Sequence, residues 1–188
     1  MTLFFDEIDS TSDEALRRIR AGAASEDTIV ARRQTAGRGR MGRPWASPEG
    51  NLYMTLMFPA PALDRIGEIA LVAALGAGEA ITRLLPGNAR VVYKWPNDLM
   101  LDGRKLGGIL IESELDPSGT RWVSLGIGVN VAHAPEDLPA VSLAQAGAPI
   151  APDELIEPIR ACFAAWYRRW MEQGIEPVRA NWLAAAAA

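Results

Sequence analysis

The sequence predicts an α+β fold, a mixed and mostly antiparallel β-sheet flanked by helices. Strand-like runs crowd the middle of the chain, between residues 28 and 131, and most are parted by turn signals rather than helices. Helical patterns occupy both ends, and a long Ala-rich apolar stretch covers residues 64–85. An Asp102-Gly103 pair sits between two apolar runs, a strong short-range hairpin signal.

The elements follow in order. Ser10 or Thr11 is a good N-cap, and Asp13 and Glu14 place negative charge in the first turn of a helix that stops at Gly22. Residues 28–32 read as a strand leading into a glycine-arginine loop. Residues 51–58 read as a second strand, closed by Pro59 and Pro61. A helix over 64–85 ends at Pro86-Gly87. Residues 90–95 form a strand stopped by Pro96, followed by a hairpin whose arms are 99–101 and 106–114. A turn at Asp116-Pro117-Ser118-Gly119 leads to a strand over 120–131 and a Pro-rich loop over 134–139. Helices are expected at 153–173 and 176–183. The domain is drawn at 1–183, and 184–188 is set apart as a poly-Ala tail, either a truncation scar or unassigned side chains.

With 188 residues, 49% of them apolar and 22% charged, the chain is long enough for one domain with a substantial core. The net charge of −4 argues against non-specific nucleic-acid binding, which needs a basic face to neutralise phosphates. The single cysteine, Cys162, excludes a disulfide framework, and its apolar surroundings suggest a buried inert thiol. One histidine, His133, cannot build a His-rich metal cluster. Acidic residues follow the first apolar ones too soon for a signal peptide, and no apolar stretch is long enough to span a bilayer. A cytoplasmic protein is expected, acting on a small anionic ligand, with no nucleic-acid or membrane partner, as a monomer or homodimer.

The loop Gly37-Arg38-Gly39-Arg40-Met41-Gly42-Arg43-Pro44-Trp45 carries most of the chemistry. Its glycines let backbone amides approach a ligand, and its guanidinium groups bring permanent charge in a planar fork. The spacing satisfies G-x-G-x-x-G, but a dinucleotide fingerprint needs a helix after it, and here prolines and a strand follow. No Gly-Lys-Ser/Thr closes a phosphate loop, and a kinase's His-Arg-Asp and Asp-Phe-Gly are absent. The bland alternative is a flexible surface loop.

Lys94-Trp95-Pro96-Asn97-Asp98 and Arg104-Lys105-Leu106-Gly107-Gly108 form a second cluster. Asp98 and Lys105 lie on opposite arms of the hairpin and can meet. Lysine can neutralise a carboxylate or phosphate, and the aspartate can orient it or hold Mg²⁺. The competing reading is a surface ion pair contributing under about 1 kcal/mol. Gly107 and Gly108 would clear space for a ligand against the strand. Gly126-Ile127-Gly128-Val129-Asn130 is a third segment, readable as a tight sheet position. Trp45 is suited either to stacking on a base or to packing.

Taken together these segments resemble the catalytic domain of biotin protein ligases. The resemblance rests on Asp9-Ser10-Thr11, on Gln34-Thr35-Ala36 running into the loop up to Trp45, and on Ser47-Pro48 with Gly50-Asn51-Leu52-Tyr53. It continues through Lys94 to Asp98, Arg104 to Glu112, and Gly126 to Asn130. It implies a fold like that of the class II aminoacyl-tRNA synthetases and biotin synthetases. It also implies a two-step reaction: biotin and ATP with Mg²⁺ give biotinyl-5′-AMP, and a lysine of a biotin carboxyl carrier protein of acetyl-CoA carboxylase then takes the biotin. No tightly bound prosthetic group is implied.

By the same resemblance, Ser10, Thr11, Ser12, Gln34, Gly39, Gly107 and Gly108 belong to the biotin site, together with Arg38, Arg40 and Lys105. Arg38, Arg40, Trp45, Lys94, Asn97, Lys105 and Asn130 belong to the nucleotide site. Lys105, Asp98, Arg40 and Arg38 would act in catalysis, with magnesium near Asp98. The loop over 37–45 is expected to be mobile until biotin or its adenylate orders it. Ser12 stands where the family usually has Asn. Neither a preceding winged helix nor the family's small C-terminal β-domain is recognisable. A lipoate or octanoate ligase and a non-catalytic biotin-binding remnant are the alternatives.

Overall fold

The computed structural model describes residues 1–61 and 63–187. Its strands are β1 (Thr2–Ile8), β2 (Thr28–Gln34), β3 (Leu52–Pro59), β4 (Val92–Lys94), β5 (Asp98–Leu101), β6 (Arg104–Leu115) and β7 (Arg121–Val129). They form one seven-stranded sheet in the order β1-β2-β3-β7-β6-β5-β4, in which β1 and β2 run parallel and the other neighbours antiparallel. Helix α1 (Thr11–Arg20) covers one face. Helices α2 (Ile69–Thr82), α3 (Ile156–Gln173) and α4 (Ile175–Ala184) cover the other.

β1 is absent from the sequence reading. Asp6 and Glu7 break its apolar run, so alternation is lost. The strand is instead held by its parallel partner, where Glu7 pairs with Arg33 in register and their side chains meet at 3.1 Å. α1 starts as expected, with the Ser10 side chain accepting the Asp13 N–H, and Gly22 follows it in the left-handed region at φ 68°. The helix expected at 64–85 begins later. Leu63–Glu68 is a 3-10 turn, and α2 starts only at Ile69. Glu68 does not cap it, because its carboxylate accepts the Trp170 indole N–H at 2.5 Å and pairs with Arg65.

α2 is apolar nearly all round and is buried between the sheet and α3, as such a helix must be. Together they enclose the main core, which contains Cys162 and the fully buried Trp170. Burial pushes the Cys162 thiol pKa up, as for an inert core thiol. A smaller core lies between α1 and the sheet, built from Ala15, Leu16, Ile19, Ile29 and Met57.

The Asp-Gly hairpin forms, with both turn residues at positive φ, 49° and 72°. Its register carries one irregularity. Leu99 pairs with Gly107 but Met100 pairs with Lys105, so β6 holds an extra residue, Leu106, at a β-bulge. In an unbroken strand Lys105 and Gly108, three apart, would face opposite sides. Lys105 faces the side of Met100 and Asp98 by the hairpin register, and the bulge brings Gly108 to that same face, while Leu106 stays in the main core.

The poly-Ala tail is not separate. α4 ends at Ala184, and Tyr93 on the edge strand β4 donates its N–H to Ala185 O and accepts from Ala187 N. The boundary drawn at residue 183 therefore falls inside an element.

Candidate functional site

The sheet face beneath α1 is unusually bare near the centre. Along β7 the side chains alternate: Val123, Leu125, Ile127 and Val129 enter the main core, while Ser124, Gly126 and Gly128 face the α1 side. On β6 Gly108 pairs with Gly128 and continues that bare strip. The strip floors a cavity of about 950 Å³ beside the N-terminus of α1. Its walls are the glycine-arginine loop, residues 94–98 and residues 135–140.

One end of the cavity is polar and uncharged. Gln34 Oε1 accepts from the Thr11 N–H at 2.8 Å and from its hydroxyl at 3.1 Å. Thr11 Oγ1 in turn accepts from Thr55, whose hydroxyl lies 3.4 Å from Ser12 Oγ. Gln34 Nε2 donates to Ser47, which donates to the Trp45 carbonyl. Ser10, Thr11 and Ser12 are all at most 5% exposed. A buried relay of amide and hydroxyls can offer both donors and acceptors to a neutral polar ring.

The other end carries charge. Lys105 Nζ lies 2.7 Å from Asp98 Oδ1 and 5.2 Å from the centroid of the Trp45 ring, so the two hairpin arms do meet at the ion pair. The Trp45 indole lies against the glycine strip: a Cβ on Gly128 would come within 2.9 Å of it, and one on Gly108 within 3.3 Å. Its Nε1 is buried with no hydrogen-bond partner among the described residues. Arg40 is exposed, and Nη1 reaches Asn97 Oδ1 at 3.4 Å. Neither Arg40, Arg43 nor Lys94 has an ion-pair partner among the described residues. Asn130 donates its side-chain amide to the carbonyls of Lys105 and Val141, at 3.3 and 3.2 Å.

The loop itself is folded. Gly39 N donates to Arg43 O at 2.7 Å, Trp45 N to Gly37 O at 2.8 Å, and Met41 and Gly42 turn the chain at φ 57° and 71°. Arg38 lines the cavity, but its charged group is already engaged by the protein. Its guanidinium is clamped by Asp13 and Glu112, whose hydrogen bonds raise its pKa further, Asp13 contributing most. One expected residue is not among those that line the cavity. Gly107 is not on the cavity wall, because the bulge faces it the other way, where a Cβ would meet Gly128 O at 2.6 Å and Leu99 at 3.3 Å. The other expected residues, Ser10, Thr11, Ser12, Gln34, Arg38, Gly39, Arg40, Trp45, Lys94, Asn97, Asp98, Lys105, Gly108 and Asn130, line one cavity.

Sequence reasoning named Asn51 among the residues that carry the resemblance but gave it no role in the site. Its Oδ1 accepts the N–H groups of Val131, Ala132 and His133 at 2.9 to 3.0 Å, and its amide donates to His133 O. This pins the chain just before the wall at 135–140. The only local hint was an asparagine after Gly50 at the mouth of a strand. Asp13 and Glu112 were also missed; Asp13 reads as an ordinary first-turn acid.

The sequence pattern of the biotin/lipoate A/B protein ligase family matches residues 4–130, more than half of the chain. The chain belongs to this family. Among curated members it is 38% identical to the biotin–[acetyl-CoA-carboxylase] ligase of Paracoccus denitrificans, over 95% of this chain and 78% of that protein. It is 35% identical to the bifunctional ligase/repressor BirA of Bacillus subtilis, over 96% of this chain but only 58% of that protein. Family structures superpose closely. The Aquifex aeolicus biotin protein ligase in complex with biotin and ATP matches with a TM-score of 0.83 and 26% identity, over 98% of this chain and 78% of that one. The Leishmania major enzyme with biotinyl-5-AMP matches with a TM-score of 0.82 and 32% identity, over 99% and 81%.

Proposed function

We propose that this chain joins biotin to ATP, giving biotinyl-5′-AMP and pyrophosphate, and passes the biotin to a lysine of a biotin carboxyl carrier protein of acetyl-CoA carboxylase. The observation that carries the reading is one cavity with a neutral polar relay at one end and, at the other, Lys105 beside Asp98 together with Arg40, Arg43 and Lys94, which have no ion-pair partner among the described residues. The relay of Thr11, Gln34 and Ser12 suits the cyclic urea, with Ser10 capping the helix that presents them. The glycine strip and the Trp45 ring suit the apolar body and chain of biotin. Lys105 then meets the carboxylate.

In the first step a carboxylate oxygen attacks the α-phosphorus, and the bond to the pyrophosphate oxygen breaks. Two unit charges of like sign at 4 Å repel by about 4 kcal/mol at an effective dielectric of 20. Arg40 and Lys105, held in place before the reaction, oppose that repulsion. Trp45, Lys94, Asn97 and Asn130 line the nucleotide side, where Asn130 offers its carbonyl oxygen because its amide is already used. Asp98 and Asp137 on the cavity wall are the carboxylates that would hold a magnesium ion brought by ATP, which would neutralise phosphate charge there. In the second step an amine attacks the acyl carbon of the mixed anhydride and AMP leaves. Neither step needs a side-chain nucleophile. We place the reaction in the cytoplasm, where ATP is at hand; no described helix is long and apolar enough to cross a membrane.

Biotin-dependent exchange of pyrophosphate into ATP tests the first step, and biotin transfer to an added carrier domain tests the second. Biotin at a hundredfold excess over its Kd is expected to stabilise the fold by about 2.7 kcal/mol in a thermal-shift assay. Exchange supported by lipoate and not by biotin overturns the reading.

A further inference from the structure

Arg38 belongs to the loop, yet its side chain leaves it to enter between α1 and β6. Nε lies 3.1 Å from both carboxylate oxygens of Asp13. Nη2 lies 2.6 Å from Asp13 Oδ1 and 3.0 Å from Glu112 Oε2, and Nη1 lies 3.1 Å from Glu112 Oε1. A guanidinium has about five N–H donors, and these contacts engage all but one. Two carboxylates against one guanidinium also leave the cluster with an excess of negative charge, so Arg38 has little attraction left for a substrate anion. The three side chains are about one-third exposed or less. They join elements far apart in sequence, 25 and 74 residues from Arg38.

We propose that Arg38 is a tie and not the anion-binding arginine of the site, and that Asp13 and Glu112 are positioning residues acting through it. Resting on the ligase reading above, the tie fastens the loop to the helix that carries Ser10, Thr11 and Ser12 and to the strand that carries Lys105. It thereby sets where Gly39 and Arg40 stand relative to the biotin carboxylate. A lysine would not serve, since a point charge cannot fork between two carboxylates. Substrate charge is left to Arg40, Arg43, Lys94 and Lys105.

The two roles predict opposite signs for the same substitution in the full chain. Glu112→Gln and Asp13→Asn keep shape and remove charge. If Arg38 is a tie, each variant loosens the loop. Trypsin cleavage after Arg38 and Arg40 then accelerates about five- to tenfold, KM for biotin in pyrophosphate exchange rises by a similar factor, and kcat at saturating biotin changes by less than about twofold. If Arg38 binds the anion, removing its competitors frees it, and KM falls while cleavage stays as it was. Unchanged cleavage or a lower KM overturns the proposal. A charge exchange, Arg38→Glu with Glu112→Arg, should recover protease resistance relative to Arg38→Glu alone, and no recovery counts against the tie. Should the unaltered chain show no biotin-dependent exchange, the ligase reading fails, and the trypsin comparison still decides the tie.

Discussion

Lys105 shows how one residue's role depends on what surrounds it. Its ammonium is shared between Asp98 at 2.7 Å and the Trp45 ring. A substrate carboxylate arriving there adds a second anion to a half-buried cation, which strengthens the interaction beyond what an exposed pair would give. Lys105→Ala is expected to cost about 3 kcal/mol in adenylate formation, on the order of a hundredfold in exchange rate, and to leave Asp98 without a partner. Thermal stability should fall far less, because a partly exposed ion pair contributes about 1 kcal/mol or less. An unaltered exchange rate would remove Lys105 from the chemistry. Much at this scale was legible: the opposed positions of Asp98 and Lys105 follow from the Asp-Gly turn. The clamp on Arg38 was not, because no local pattern marks Asp13 or Glu112 as its partners.

Elements are held in place by close approach as much as by burial. α2 crosses α3 at Gly76, where an added Cβ would lie 2.7 Å from Phe163 Cα and 2.9 Å from its N, both backbone atoms that cannot swing aside. Gly76→Ala should force the helices apart and destabilise the fold by about 2 kcal/mol, or roughly 4–8 °C in Tm. Gly67→Ala, with nothing within 4 Å of the new methyl, is the control and should move Tm little. Equal Tm values would show that the crossing absorbs a methyl. The sequence marks α2 as a helix by composition, but its start at 64 was misplaced. Glu68 serves Trp170 across the layer instead of capping its own helix, and that competition is a tertiary effect.

At the scale of the whole molecule, ion pairs stitch the periphery of the sheet and make stability depend on acid. The Arg17 guanidinium holds the Asp9 carboxyl down from 3.8 to about 2, with a smaller contribution from the Ser10 N–H. Asp27 is likewise lowered, by Ser25 and the N-terminal ammonium. A depressed carboxylate stabilises the fold above its unfolded pKa and loses that contribution as pH falls through the folded one. The loss therefore falls between about pH 4 and pH 2. Asp9 is 44% exposed, so its share is discounted for screening to about 1 kcal/mol. Asp9→Asn should flatten the acid limb of a stability profile in that window and leave neutral pH lower by that amount; a limb of unchanged slope would refute the assignment.

What the sequence by itself determined was the α+β class, most strands, the antiparallel hairpin and the family, because turn residues, alternation and contiguous motifs are local properties. What only the tertiary structure decided was which side each residue faces and whom it meets. The extra Leu106 in β6 turns Gly108 toward the cavity, onto the face of Asp98 and Lys105, and Gly107 away from it, since one residue of register exchanges the faces of a strand. Pairing made β1 a strand despite its broken pattern, and two distant carboxylates took the charge that Arg38 seemed, from the chain alone, to hold in reserve for a ligand.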